Sequence, residues 1–111
     1  MASVYALSSS LEPDIVRYVG RTKADTADKR LYAHVSEAKR NKGRKRLSSK
    51  FIWIQGVLKC GGSITALVLE SGLSLEESGL SEVWFIAWHR AYGYPLVNMN
   101  NGGNVSGLVR H

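Results

Sequence analysis

The sequence predicts a small α+β domain: a three-stranded mixed or antiparallel β-sheet flanked by helices, in the order β-β-α-α-β-α. Three observations lead there. The 111 residues suit a single domain, 1–111, long enough to bury a core and too short for two. Three short runs rich in β-branched and aromatic residues are interspersed with three stretches whose apolar residues recur every three or four positions. Polar turns carrying glycine or proline separate most of them.

Residues 2–8, ASVYALS, have strand composition and end in the polar SSSLEPD. Residues 15–20, IVRYVG, form the second strand, so 2–20 reads as a hairpin with a longer connection. From Asp25 to Arg40 a helix is expected, with Thr26 as its cap, Asp28 in the first turn, and Leu31, Val35 and Ala38 at helical spacing. In SSKFIWIQGVLK, Ser48 or Ser49 caps a second helix that runs to about Cys60 and stops at Gly61 and Gly62. Its apolar stripe is Phe51, Ile52, Ile54, Val57 and Leu58. The run ITALVLE, 64–70, has the length of a strand covered on at least one face. SLEESGLSEVWFIAWHRAYG reads as a third helix: Leu80, Trp84, Ala87 and Trp88 share spacing, and Gly93 is its C-cap. The Asn- and Gly-rich remainder reads as turn and loop. Trp53, Trp84, Phe85 and Trp88 are expected in the core, and His89 at the surface.

Composition narrows the function classes. No apolar run approaches the ~20 residues of a membrane span, and the N-terminus lacks the basic-then-apolar order of a signal peptide, so a cytoplasmic location with no membrane partner is expected. Cys60, the single cysteine, excludes an internal disulfide and thiolate zinc sites, and is expected to be a small buried or half-buried apolar residue. The net charge of +6 is local. KRNKGRKRLSSK holds Lys39, Arg40, Lys42, Arg44, Lys45, Arg46 and Lys50 and no acid, so the rest of the chain carries −1. Such a segment is either a solvated loop or a contact for nucleic-acid phosphates.

Several polar residues invite a chemical reading, although each has an ordinary role. Tyr5 and Tyr18 suit a cross-strand aromatic pair. Arg30 suits a surface ion pair, His34 a satisfied helix histidine, and Glu82 a solvated helix carboxylate. Arg30 and His34 are one helical repeat apart, so they project from one face. Together the five supply what phosphodiester hydrolysis needs. A carboxylate holds a hard divalent cation. An arginine stabilises the charge of the in-line transition state. A phenol or imidazole takes a proton from the attacking water, and a nearby metal ion and arginine both favour the phenolate.

In order along the chain, these residues resemble the GIY-YIG nuclease domain of phage and intron homing endonucleases, some restriction enzymes and the incision subunit of excision repair. Ser3-Val4-Tyr5 stands where the family has Gly-Ile-Tyr, and Tyr18-Val19-Gly20 where it has Tyr-Ile-Gly. Lys29-Arg30-Leu31-Tyr32-Ala33-His34 is similar to its first helix, with arginine and histidine four apart. Glu82, opening Glu-Val-Trp-Phe-Ile, is similar to its metal-binding glutamate. Gly93-Tyr94-Pro95-Leu96-Val97-Asn98, followed by Asn100-Asn101-Gly102-Gly103, resembles the closing segment. The resemblance spans nearly the whole chain in the family's order. Ser3 in place of the first glycine and the thirteen-residue spacing of the tyrosines depart from the pattern without removing a reacting group.

The resemblance implies a metal-dependent DNA endonuclease that leaves 5′-phosphate and 3′-hydroxyl ends. Tyr5 activates water, and Tyr18 orients it or contacts the scissile phosphate at the open end of a central strand. Gly20 lets the backbone approach that phosphate and Arg21 contacts it. Arg30 stabilises the phosphate, His34 assists by hydrogen bonding or proton transfer, Glu82 binds Mg²⁺ or Mn²⁺, and Asn98 braces the site. Arg46 or Lys50 stands for a further basic residue of the family. One site cuts one strand, so a monomer nicks and a double-strand break needs a dimer or a second binding event. The alternatives are a nucleic-acid-binding module on the same fold without chemistry, and a structural protein with no nucleic-acid partner.

Overall fold

The computed structural model describes residues 1–98 of the chain; the expected closing Asn100, Asn101, Gly102 and Gly103 lie outside them. The elements are β1 (Ala2–Ser9), β2 (Glu12–Thr22), α1 (Asp28–Arg40), α2 (Ser49–Lys59), β3 (Ile64–Leu73) and α3 (Leu75–Ala91), in the expected β-β-α-α-β-α order. The fold is α+β and its sheet is wholly antiparallel, with strand order β2-β1-β3.

β1 is therefore the central strand. β2, which carries Tyr18, is at an edge and not central as expected. The hairpin between β1 and β2 is also tighter than expected. Only Ser10 and Leu11 lie between the strands, and two register shifts, between Leu7 and Ser8 and between Ser8 and Ser9, take up the extra length of β2. The long spacing of the tyrosines is thus absorbed in strand, with no added loop.

All eight residues of β1 are buried because both faces of the sheet are covered. On one face Tyr5 and Leu7 join Ala38 of α1 and Trp53, Ile54 and Val57 of α2. On the other, Val4 and Val19 meet Ile86 of α3, with Phe85, Leu69 and Leu73 packed around them. The molecule is accordingly three layers, α1 and α2 over the sheet and α3 beneath it. Alternation along β1 sends odd positions to α1 and α2 and even positions to α3.

Local signals explain the helix starts. The Ser48 hydroxyl accepts from the Phe51 amide at 3.3 Å and opens α2. Ser74 and Glu77 form a reciprocal capping box that opens α3, with Glu76 and Glu77 in the first turn. Thr26 does not cap α1: the N-cap is Ala27, which is buried in the core and makes no side-chain cap bond.

Three burial expectations are corrected. Cys60, at the end of α2, is exposed. His89 is buried; its Nδ1 lies 2.7 Å from the Phe85 carbonyl, and its ring packs on Trp88 and Tyr94. Trp53 is in the core, but Trp84 and Trp88 are 57% and 37% exposed. The stripe Leu80, Trp84, Ala87 and Trp88 faces solvent, while Ser78, Gly79, Glu82, Phe85, Ile86 and His89 turn inward. Ser78 and Gly79 are small enough to let the start of α3 sit close on the sheet. No helix among the described residues is long and apolar enough to cross a membrane.

Candidate active site

Pairing of β1 with β2 sets Tyr5 directly opposite Gly20 and Leu7 opposite Tyr18. The two tyrosines are therefore diagonal neighbours on the face that α1 and α2 cover. Their ring centroids are 6.4 Å apart. Gly20 is what makes this possible. A Cβ at that position would fall 2.7 Å from Tyr5 Oη and 2.8 Å from Tyr18 Cε2, inside any real contact distance. The space expected to admit a phosphate is filled by the Tyr5 phenol itself.

α1 supplies the next two groups. His34 points inward and is 1% exposed, whereas Arg30, one turn earlier, lies at the exposed rim. Tyr5 Oη and His34 Nε2 are 2.7 Å apart, a short buried hydrogen bond between strand and helix. The Tyr18 ring meets the His34 ring edge-on at 5.2 Å. Tyr5, Tyr18 and His34 thus form one aromatic and hydrogen-bonded cluster, with Tyr5 fully buried and Tyr18 partly open.

Electrostatics assign resting protonation states. Burial raises the Tyr5 pKa above that of a free phenol; Arg30 opposes the rise and Glu82 adds to it. Burial also raises the Tyr18 pKa, aided by Tyr5 and Glu82 and opposed by Arg30. Arg30 favours the phenolate at both tyrosines as expected, but burial outweighs its pull. His34 is lowered to about 3 by burial first and then by Lys50 and Arg30, so its imidazole is neutral at neutral pH. A neutral Nε2 accepts the Tyr5 proton, which fixes the direction of their hydrogen bond when Nδ1 carries the N–H.

Glu82 comes from the other layer. Its carboxylate is 12% exposed and lies 3.8 Å, Oε1 to Nε, from Arg21 of β2. Arg21 also donates through Nη1 to the Leu75 carbonyl at 3.1 Å, so its guanidinium is drawn to the start of α3. Glu82 acts on both phenols electrostatically, and among the described residues no group of three or more His, Cys, Asp or Glu side chains stands together. That donor set fits a hard cation held by one carboxylate, with water and phosphate oxygens filling its remaining positions, the usual manner of Mg²⁺.

Asn98 clips the outer edge of β2. Its Nδ2 donates to the Val19 carbonyl at 2.8 Å and its Oδ1 accepts from the Val19 amide at 2.9 Å. A side-chain amide here replaces a neighbouring strand at the residue between Tyr18 and Gly20. The Val97 amide adds a bond to the Arg17 carbonyl at 2.6 Å. Asn98 therefore holds the strand that carries the site.

The cationic segment divides in two. Lys39, Arg40, Lys42, Arg44, Lys45 and Arg46 are at the end of α1 and in the connection to α2, where all six are exposed. Lys50, within the first turn of α2, folds back and is half-buried. Its Nζ lies 5.2 Å from the centre of the Tyr18 ring and 5.1 Å from that of Phe51. Burial lowers its pKa, partly offset by Glu37. Sequence alone grouped Lys50 with the loop cations. The signal that separates it is the Ser48 cap, which fixes the start of α2 and sets Lys50 in its first turn.

Comparison with known protein families, with characterised proteins and with solved structures returns no match to this chain.

Proposed function

We propose that the chain is a metal-dependent endonuclease that hydrolyses DNA phosphodiester bonds, one strand at each site. The observation that carries this reading is the Tyr5–His34 hydrogen bond beside Tyr18, with Arg30 at the rim and the Glu82 carboxylate acting on both phenols. In this reading a water proton passes to Tyr5 Oη as the phenolic proton passes to His34 Nε2. Neither a free phenolate nor an imidazolium has to exist beforehand. The incoming phosphate offsets the positive charge of Arg30 and Lys50, two of the groups that keep the imidazole neutral, so substrate itself makes His34 a better proton acceptor.

Arg30, exposed beside the cluster, binds the phosphate and stabilises the charge that grows on it. Tyr18 orients the water or contacts the same phosphate. Glu82 holds Mg²⁺ or Mn²⁺, which when bound supplies Lewis-acid stabilisation of the oxygens in the displacement. The cations from Lys39 to Arg46 follow α1, in the layer that faces the tyrosines, and suit backbone contacts that position DNA without reading its sequence.

One observation favours a second reading, a nucleic-acid-binding module without chemistry. Arg21 stands 3.8 Å from Glu82, so this carboxylate already has a protein cation beside it. A plasmid assay with Mg²⁺ or Mn²⁺ separates the two. The nuclease converts supercoiled to open-circular DNA, stops in EDTA, and loses activity in Glu82→Ala. Binding of the same plasmid with no strand cut under either metal refutes the nuclease and leaves the module.

A further inference from the structure

Helix α3 is turned inside out relative to its composition. Its inward face carries Ser78, Glu82 and His89 beside Phe85 and Ile86, whereas Leu80, Trp84, Ala87, Trp88 and Ala91 line the outward one. Leu80 is 49% exposed, and the ridge continues into a groove of about 390 Å³ between α3 and β3, lined by Leu69, Glu70, Ser81, Trp84 and Phe85. Exposed apolar area contiguous over several turns marks a surface that another molecule covers.

We infer that this ridge is the interface of a homodimer in which α3 packs antiparallel against its own copy about a two-fold axis at Trp84. Three features select a second copy of the chain as the occupant. The first is register: a two-fold at Trp84 sets Leu80 against the partner's Trp88, large side chain to large side chain, while Ala87 and Ala91 leave room for helices to approach closely. The second is charge. The first turn of α3 is acidic, with Glu76 and Glu77, so antiparallel pairing sets the two acidic turns at opposite ends of the interface and brings opposite helix ends together. Nucleic acid is a poor occupant, because Glu70, Glu76 and Glu77 flank the ridge and the cations of Lys39–Arg46 belong to the opposite layer. The third is area. Leu80, Trp84, Trp88, Tyr92 and the neighbouring Leu67, which are 37–70% exposed, present roughly 600 Å² if whole side chains of this size cover about 150–250 Å². That approaches the ~800 Å² each partner buries in an interface of standard size.

The pairing is independent of the chemistry proposed for the site. Glu82 lies on the inward face of the helix, so the dimer leaves it uncovered.

The test is the mass of the full chain by light scattering and sedimentation velocity, from about 1 to 200 µM, the range in which a micromolar Kd is read. The wild type is expected at twice its 12.2 kDa chain mass. Trp84→Glu and Leu80→Glu are expected at the single mass throughout, a weakening of at least about 100-fold, with far-UV circular dichroism unchanged. Tyr32→Glu, which alters a 75% exposed aromatic on α1, is expected to stay dimeric. A wild type at the single mass up to 200 µM overturns the inference, as does a folded Trp84→Glu that remains dimeric. So does a monomer whose tryptophan fluorescence shifts only when single-stranded DNA is added, since the ridge is then a nucleic-acid surface.

Discussion

Replacing Gly20 with alanine tests how the two tyrosines are held. Gly20 does not need the left-handed backbone, so alanine adds no strain there; only the new methyl group matters. That methyl would stand 2.7 Å from Tyr5 Oη, whereas ordinary contacts begin at 3.4 Å, so the phenol must move by about 0.7 Å. A shift of that size takes the phenol off its present seat on His34 Nε2, to which it is bonded at 2.7 Å, and disrupts that bond. Overpacking of this kind costs about 1–3 kcal/mol. The broken hydrogen bond adds about 1 kcal/mol, and the stiffer unfolded chain returns about 0.4–1 kcal/mol. The net destabilisation is about 1–3.5 kcal/mol, a fall in Tm of roughly 5–25 °C for a domain of this size. Urea and thermal unfolding followed by circular dichroism measure it, and the His34 ring resonances report the broken bond. Gly56→Ala is the control: it is inside α2 with nothing within 4 Å of a new Cβ, and should stabilise by about 0.5–1 kcal/mol. A Gly20→Ala protein as stable as the wild type, with His34 resonances unmoved, refutes the packing argument.

Three further outcomes are expected. His34 binds its proton at about 3 when folded and near 6.5 when unfolded, so between those values the unfolded chain holds more protons and stability falls as pH falls. From pH 6.5 to 4.5 the fall is about 2 kcal/mol, its slope approaching ~1.4 kcal/mol per pH unit, and an equal acid sensitivity in His34→Gln would sink the assignment. Asn98→Ala should free the Val19 amide, costing about 1–3 kcal/mol and speeding its hydrogen exchange; unchanged exchange at Val19 would mean the clip does not hold β2. Neutralising Arg44, Lys45 and Arg46 to glutamine should flatten the salt dependence of DNA binding by about 0.9 in log–log slope for each phosphate no longer neutralised, and an unaltered slope would remove the loop from the interface.

What the site needs was legible in the sequence to differing degrees. Arg30 and His34 were readable as neighbours because one helical turn separates them and helix geometry is local. That they point to different depths, His34 into the core and Arg30 to the rim, depends on how α1 is rotated against the sheet. Tyr5 and Tyr18 were readable as a cross-strand pair, but the hairpin register, with its two shifts, set which residue stands opposite each. Gly20 therefore had a plausible local reading, a turn near a phosphate, and a different actual neighbour, the Tyr5 phenol. Lys50 was hidden among the loop cations because charge runs carry no periodicity.

By itself the sequence determined the six elements, their order and the serine cap of α2, since each rests on contacts among residues close in the chain. It also determined where cationic charge concentrates. Only the tertiary structure decided which face of α3 is inside. That helix is apolar on much of its circumference, and its spacing alone favoured Leu80, Trp84, Ala87 and Trp88 for the core. Ser78 and Gly79 are buried and Glu82 lies inward beside Arg21, so small side chains and an ion pair occupy the inner face of α3 while the larger ridge stays outside. Hydrophobic area on the outer face can be covered by a second molecule, whereas the inward placement of Glu82 against Arg21 is set only by the fold of its own chain.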